Sequence, residues 1–313
     1  MADPVELAEV VRSGVREGAH RGHAVIVDAR GAVLQAWGDP HAQILPRSAN
    51  KIAQASAMVR AGLPLTDELL ALAAASHSGE PFHVDGVRRI LGDIPADQLR
   101  TPPDWPWDEV DRCALRAEGL GPTSIFMNCS GKHAAMLVSC AVNGWSLDDY
   151  LSPDHPLQRA IATEVAELAG EEPWARAVDG CGAPLLGLSL AGLARSGSRA
   201  ATADPGSPER RVADAMRDYP EWVAGTRRDA TALSAGVPGL LLKEGAEGVY
   251  VAGLPDGTGI AVKIEDGTGR ARQVVMAALL ARLGIDSEIA REQSVIPLLG
   301  GSERVGEIRA MLD

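Results

Sequence analysis

The sequence predicts an α+β protein of two lobes, an antiparallel sheet region built from both ends of the chain beside an inserted helical region. Three observations carry that expectation. Strand-turn-strand patterns lie towards both ends, the stretch between them has helical periodicity, and no low-complexity tract, repeat or long linker divides the chain. Strands from both ends of a chain can share one sheet, which leaves a cleft where the helical lobe meets it. The sheet region is expected over about 20–45 and 230–313 and the helical region over about 46–229, within a single domain of residues 1–313.

The elements follow in order. Ala24 to Asp28 and Ala32 to Trp37 flank the turn Ala29-Arg30-Gly31, with β-branched residues bounded by Gly and Asp, and read as an antiparallel hairpin. Helices are expected from Arg47 to Ala61, Asp67 to Ala75, Ser130 to Val142, Pro156 to Leu168, Pro184 to Arg195 and Pro208 to Arg217. Gly62 and Pro64 stop the first, and Thr66 can cap the second. A second hairpin pairs Gly248 to Gly253 with Ile260 to Glu265 around Pro255-Asp256-Gly257-Thr258-Gly259. One more helix, Arg270 to Leu283, ends at Gly284, and Val305 to Arg309 is a third β-like stretch.

At 313 residues the chain is long enough to bury a substantial core, and with aromatics at 4% that core must be built from Ala, Leu and Val. A net charge of −12 argues against nucleic acid or an anionic membrane as partner, since like charges repel. No apolar run approaches the roughly 20 residues that span a bilayer. The N-terminal stretch Met1-Ala2-Asp3-Pro4-Val5-Glu6 lacks the basic and apolar regions of a signal peptide, so a cytoplasmic protein is expected. Disulfides are then not expected among Cys113, Cys129, Cys140 and Cys181. Cys113 and Cys140 read as buried small hydrophobes, whereas Cys129 and Cys181 sit in Gly-rich polar turns.

The strongest local signal is Pro46-Arg47-Ser48-Ala49-Asn50-Lys51, opening the first long helix. Spacing i to i+3 puts Ser48 and Lys51 on one helical face, with Pro46 suited to the first turn and Ser48 near the positive end of the helix dipole. A serine nucleophile needs a base, and a neutral lysine can be one. Bringing a lysine from about 10.4 to a working value of roughly 7–8 costs about 4 kcal/mol, which burial or a neighbouring cation must supply.

Further segments join it. Ala75-Ser76-His77-Ser78-Gly79-Glu80 ends the second helix, and Lys243-Glu244-Gly245 follows an apolar run. A serine-lysine helix, a serine-bearing turn and a late K-x-G form the order of elements in the β-lactamase and penicillin-binding-protein scaffold, although S-D-N and K-T-G are absent. Ser76 and Lys243 thus become a second serine-lysine pair closing the same cleft. Asn128-Cys129-Ser130-Gly131-Lys132-His133 and Asp179-Gly180-Cys181-Gly182 lie at turns before helices. Their cysteines could hold zinc with a lysine, histidine or carboxylate, could supply a nucleophile paired with His133, or could simply cap helices and shape turns.

Taken together, Arg47-Ser48-Ala49-Asn50-Lys51, Ala75-Ser76-His77-Ser78-Gly79-Glu80, Asn128-Cys129-Ser130-Gly131-Lys132-His133, Asp179-Gly180-Cys181 and Lys243-Glu244-Gly245 resemble the asparaginase II family of the rhizobial, thermolabile type. The likeness runs from about residue 20 to residue 310. It implies hydrolysis of L-asparagine to L-aspartate and ammonia, a fold similar to serine β-lactamases and penicillin-binding proteins, and a homodimer. By motif position it implies Ser48 as nucleophile with Lys51 its base, and Ser76 with Lys243 as the adjoining pair. It implies Cys129, Lys132 and Cys181 as ligands of one zinc ion completed by water, with Asp179 orienting substrate or water. Arg47 and His133 are implied as supporting or substrate-carboxylate contacts. Asn50 and Gly182 depart from the family pattern. Two other readings compete: another serine hydrolase on the same scaffold, and a non-catalytic metal- or small-molecule-binding protein.

Overall fold

Strand pairing across the two ends of the chain organises the molecule, described over residues 3–312 by a computed structural model. The chain opens with β1 (Val5–Arg12), β2 (Val15–Val27), β3 (Val33–Trp37) and β4 (Gln43–Ile44), then a 3-10 turn, Arg47–Asn50, leading into α1 (Lys51–Arg60). Helices α2 (Asp67–Ala73), α3 (Pro81–Leu91), α4 (Glu109–Ala117), α5 (Ser130–Asn143) and α6 (Pro156–Ala169) follow, then β5 (Ala175–Val178) and β6 (Pro184–Ser189). Next come α7 (Leu190–Ala201), α8 (Pro208–Asp218), α9 (Pro220–Val223) and α10 (Asp229–Gly236). The chain closes with β7 (Leu241–Gly245), β8 (Val249–Gly253), β9 (Gly259–Ile264), α11 (Gly269–Arg282), α12 (Glu288–Gln293), β10 (Val295–Gly300) and β11 (Glu303–Ala310).

The main sheet has eight strands in the order β10-β11-β1-β2-β9-β8-β7, with β3 added beside β2. Every pairing is antiparallel, and Ala8 of β1 lies opposite Ala310 of β11. Both expected hairpins and the third β stretch form, and the sheet draws on both chain ends as expected, beginning at Val5 rather than near residue 20.

Side-chain alternation splits the core in two. Val25, Val27, Val249, Val251 and Ala261 face the helical lobe and pack with residues such as Ile52, Met58, Leu72 and Leu193. Their neighbours Ala24, Ile26, Tyr250, Ile260 and Val262 face the other way onto Val274, Val275, Leu279 and Leu280 of α11. Strands β8 and β7 are therefore buried on both faces, β8 as a continuous apolar run and β7 with Lys243 and Glu244 buried after Leu241 and Leu242. A small second sheet, β4-β6-β5, takes two of its strands, β5 and β6, from the chain segment expected to be helical.

Two expectations are corrected. The segment Pro184 to Arg195 is strand β6 followed by α7, because Leu185-Leu186-Gly187-Leu188 is buried all round and Ser189 is the true helix cap, accepting from the Gly192 N–H. Cys140 is buried as expected, but Cys113 is exposed on α4, a helix that buries none of its residues.

Candidate active site

The 3-10 turn carrying Ser48 begins under strain. Arg47 has φ 53, a region costly for a residue with a Cβ. Its Nε donates to Asp179 Oδ1 at 2.6 Å, and Gly180 N–H donates to the same oxygen at 2.8 Å, so the turn before Cys181 locks the turn before Ser48. Ser48, half-buried, opens onto a cavity of about 470 Å³ whose walls include Ser76, Cys129, Asp179, Cys181 and Glu244.

Lys51 is buried behind this wall. Its Nζ donates to Ala75 O, to Ser76 Oγ at 3.1 Å and to Cys129 Sγ at 3.0 Å, three contacts that match the three donors of an ammonium. The pairing therefore differs from the expected Ser48–Lys51 and Ser76–Lys243: Lys51 turns to Ser76. Ser76 is positioned through its backbone, whose N–H donates to Val223 O at 2.8 Å. The next residue, His77, accepts from Gly79 N–H on Nδ1, so its Nε2–H donates to Ser130 Oγ at 2.9 Å. That bond ties the serine turn to the start of α5.

Lys243 comes from edge strand β7, fully buried, with Nζ donating to Glu244 O at 2.9 Å. Burial brings its amine down to about 7, with the positive Lys51, Arg228 and Arg272 adding to the fall and Glu244 opposing it. Alternation puts Lys243 and Gly245 on one face of β7. A Cβ at Gly245 would lie 2.5 Å from Pro46 O and 3.3 Å from Ala49 N, so this face packs directly on the Ser48 turn.

A second cluster lies beside Lys51. Lys132 Nζ donates to Cys181 Sγ at 3.2 Å, and Cys129 Sγ is 3.1 Å from Asn128 Oδ1. Cys129 and Cys181 act on each other: their interaction, helped by Lys132, holds Cys181 well below the ordinary thiol range and, with burial, pushes Cys129 well above it. Burial disfavours charge on Lys132, yet Cys181, Cys129 and Asp179 outweigh it and raise the ammonium. His133 is fully buried and does not line the cavity; its Nδ1 pairs with Tyr150 OH at 2.7 Å, and its Nε2 has no hydrogen-bond partner. His133 therefore sits behind the cysteines, in place for the supporting role of the two expected of it rather than for a contact with substrate carboxylate.

Among the described residues no three His, Cys, Asp or Glu side chains are arranged to hold a metal. Any metal here needs the Lys132 amine as third donor. Two thiols and that amine form a soft S/N set of the kind zinc takes, so the residues fit.

A family model described as L-asparaginase II matches residues 8–310, a span that holds every group described above. The chain belongs to the L-asparaginase II family. A comparison with curated proteins gives no match. Among solved structures the chain is similar to Mglu, at 17% identity and TM-score 0.47, covering 85% of this chain and 67% of that one. It is similar to a β-lactamase from Mycobacterium bovis, at 14% identity and TM-score 0.49, covering 83% of this chain and 94% of that one. A third is a Bacillus glutaminase, at 12% identity and TM-score 0.39, covering 84% and 91%. The chain spans as little as 59% of the Mglu structures it matches.

This L-asparaginase II family chain also carries site residues that sequence reasoning missed. Arg228, Arg272, Glu244 and Trp107 all line the cavity. Arg228 Nη2 donates to Glu244 Oε1 at 3.1 Å, while its guanidinium stacks over Trp107 at 5.0 Å. Glu244 had a signal: a carboxylate beside Lys243 in an apolar strand has no bland use. Arg228 and Arg272 had none, since they sit among ordinary polar residues.

Proposed function

We propose that the chain hydrolyses L-asparagine to L-aspartate and ammonia, with Ser48 as nucleophile. The observation that supports it is convergence: a half-exposed serine on a strained turn, with Lys243 on the strand face packed against that turn, Ser76 in the same cavity wall and Lys51 bonded to it from behind.

A neutral amine near pH 7 can take the Ser48 proton as its oxygen bonds to the amide carbon. In this reading Lys243 is the neutral amine, and charged Lys51, holding Ser76, supplies positive potential. The tetrahedral oxyanion takes donors from the Ser48 backbone N–H and from β7, an edge strand. The carbon–nitrogen bond breaks, ammonia leaves with the proton from Ser48, and a β-aspartyl ester remains. Water then gives a proton to the same amine and its oxygen to the carbon, and the proton returns to Ser48 as the ester breaks.

Cys129, Lys132 and Cys181 would hold a zinc ion, which would supply a fixed positive charge beside the substrate. Lys132 would lose its proton on binding it. A cytoplasmic homodimer is part of the same proposal.

The test is ammonia release from L-asparagine and, separately, L-glutamine and a chromogenic β-lactam. Turnover is expected on L-asparagine, and Ser48→Ala should lower it at least about a thousandfold with an unchanged melting temperature. No ammonia from the wild type, or near-normal turnover by Ser48→Ala, overturns the reading.

A further inference from the structure

We infer that Glu244 and Arg228 form the recognition site for the α-amino acid head of the substrate, Glu244 taking the α-ammonium and Arg228 the α-carboxylate. The inference deepens the proposed function and rests on it for the identity of the substrate.

Glu244 is 3% exposed and lines the cavity, yet only one of its carboxylate oxygens is used. Oε1 receives Arg228 at 3.1 Å and lies 3.7 Å from Lys243 Nζ. Oε2 is buried without a partner. A buried charged oxygen left without a donor is costly, so the site is built for a ligand that brings one. An ammonium does so with matching charge.

Arg228 is the complementary half. Of its five N–H groups one meets Glu244, and another reaches Ser78 Oγ only at 3.5 Å. Trp107 holds the guanidinium plane by stacking, which leaves further donors for a carboxylate. Arg47 is less suited, because Asp179 takes its Nε at 2.6 Å and Glu247 stands 3.8 Å from Nη1. Arg272 is also less suited: Nη1 donates to Gly245 O at 2.9 Å, Nη2 lies 3.6 Å from Asp229, and although its Nε is without a partner the guanidinium is buried over the Tyr250 ring. A ligand carrying both charges close together fits Glu244 and Arg228 side by side.

Binding of three small acids to the full chain tests this by calorimetry: L-aspartate, succinate (which lacks the ammonium) and β-alanine (which lacks the α-carboxylate). Wild type should bind L-aspartate at least about tenfold tighter than either analogue. Glu244→Gln should lose about tenfold or more on L-aspartate and β-alanine and under about twofold on succinate. Arg228→Lys should show the converse, losing on L-aspartate and succinate and sparing β-alanine. Equal losses on all three acids, or a wild type that does not discriminate among them, overturn the inference. If Glu244→Gln melts far below wild type, the Arg228→Lys pattern decides. Ammonia release from L-asparagine is measured on the same wild-type sample. Absent turnover with L-aspartate selectivity intact overturns the catalytic reading and leaves the recognition site standing.

Discussion

A single buried amine sets the expected pH behaviour. Lys243 is brought to about 7 first by burial, then by the positive Lys51, Arg228 and Arg272, with Glu244 pulling the other way. A base that must be neutral works better as pH rises through that value, so kcat/KM should climb between about pH 6 and 8. Glu244→Gln removes the one charge that favours the ammonium, leaving three that oppose it. The acid limb should therefore move to lower pH, and a pH–rate profile that stays put or moves up would assign the base elsewhere. Beside it, Cys181→Ser takes away one of two soft donors. Elemental analysis should find about one zinc per wild-type chain and a small fraction of that in the variant. These residue types were legible in the sequence as a set. Their pairing was not, because a lysine is long enough to reach past the residue one turn away and settle on Ser76.

At the scale of elements, the fit of β7 on the Ser48 turn explains why Gly245 has no side chain. A Cβ there meets Pro46 O at 2.5 Å, a backbone atom that cannot swing aside. Gly245→Ala should push the turn and strand apart, costing about 1–3 kcal/mol of stability and at least about tenfold in kcat. Gly18→Ala in β2, where nothing lies within 4 Å of the added carbon, is the control and should change stability by less than about 0.5 kcal/mol. Equal melting and turnover in the two variants would remove the packing argument. Helices with clear end signals were readable: α5 and α6, closed by Gly144 and Gly170, and α8, opened by Ser207-Pro208, begin and end within a residue or two of their expected bounds. Buried on nearly every side, β6 has no polar face to give it a period, and Pro184 mimicked a helix start. In α4 the stripe Val110, Cys113, Ala114 and Ala117 has helical spacing but buries nothing, and no helix was expected there.

For the whole molecule, closure of the sheet by the chain's two ends was legible from its hairpins but not in its extent. Half-exposed β10 is interrupted by Pro297, and in β1 the buried positions Leu7 and Ala8 are adjacent, so neither alternates cleanly. Pairing alone reveals their role. β11 bonds to β1 from Ala8 opposite Ala310 to Arg12 opposite Gly306, and no side chain fits at Gly306, where a Cβ would lie 2.0 Å from Val11 O. Ile308 of β11 is fully buried in the same core as Leu7, Val10 and the α11 residues Val275 and Leu279. A chain ending at Ser294 would lose both β10 and β11, bare the edge of β1, and uncover part of that core. Such a protein should aggregate or lose its single cooperative melting transition, even though every proposed catalytic residue is still present. Because the β1–β11 contact joins residues about as far apart as the chain allows, its formation carries a large loop-closure cost and should come late in refolding. Stopped-flow refolding should then show the β1–β11 region gaining protection from hydrogen exchange after α5 and α6. A truncated chain that melts and turns over like the full one would mean that the second core holds without its last two strands.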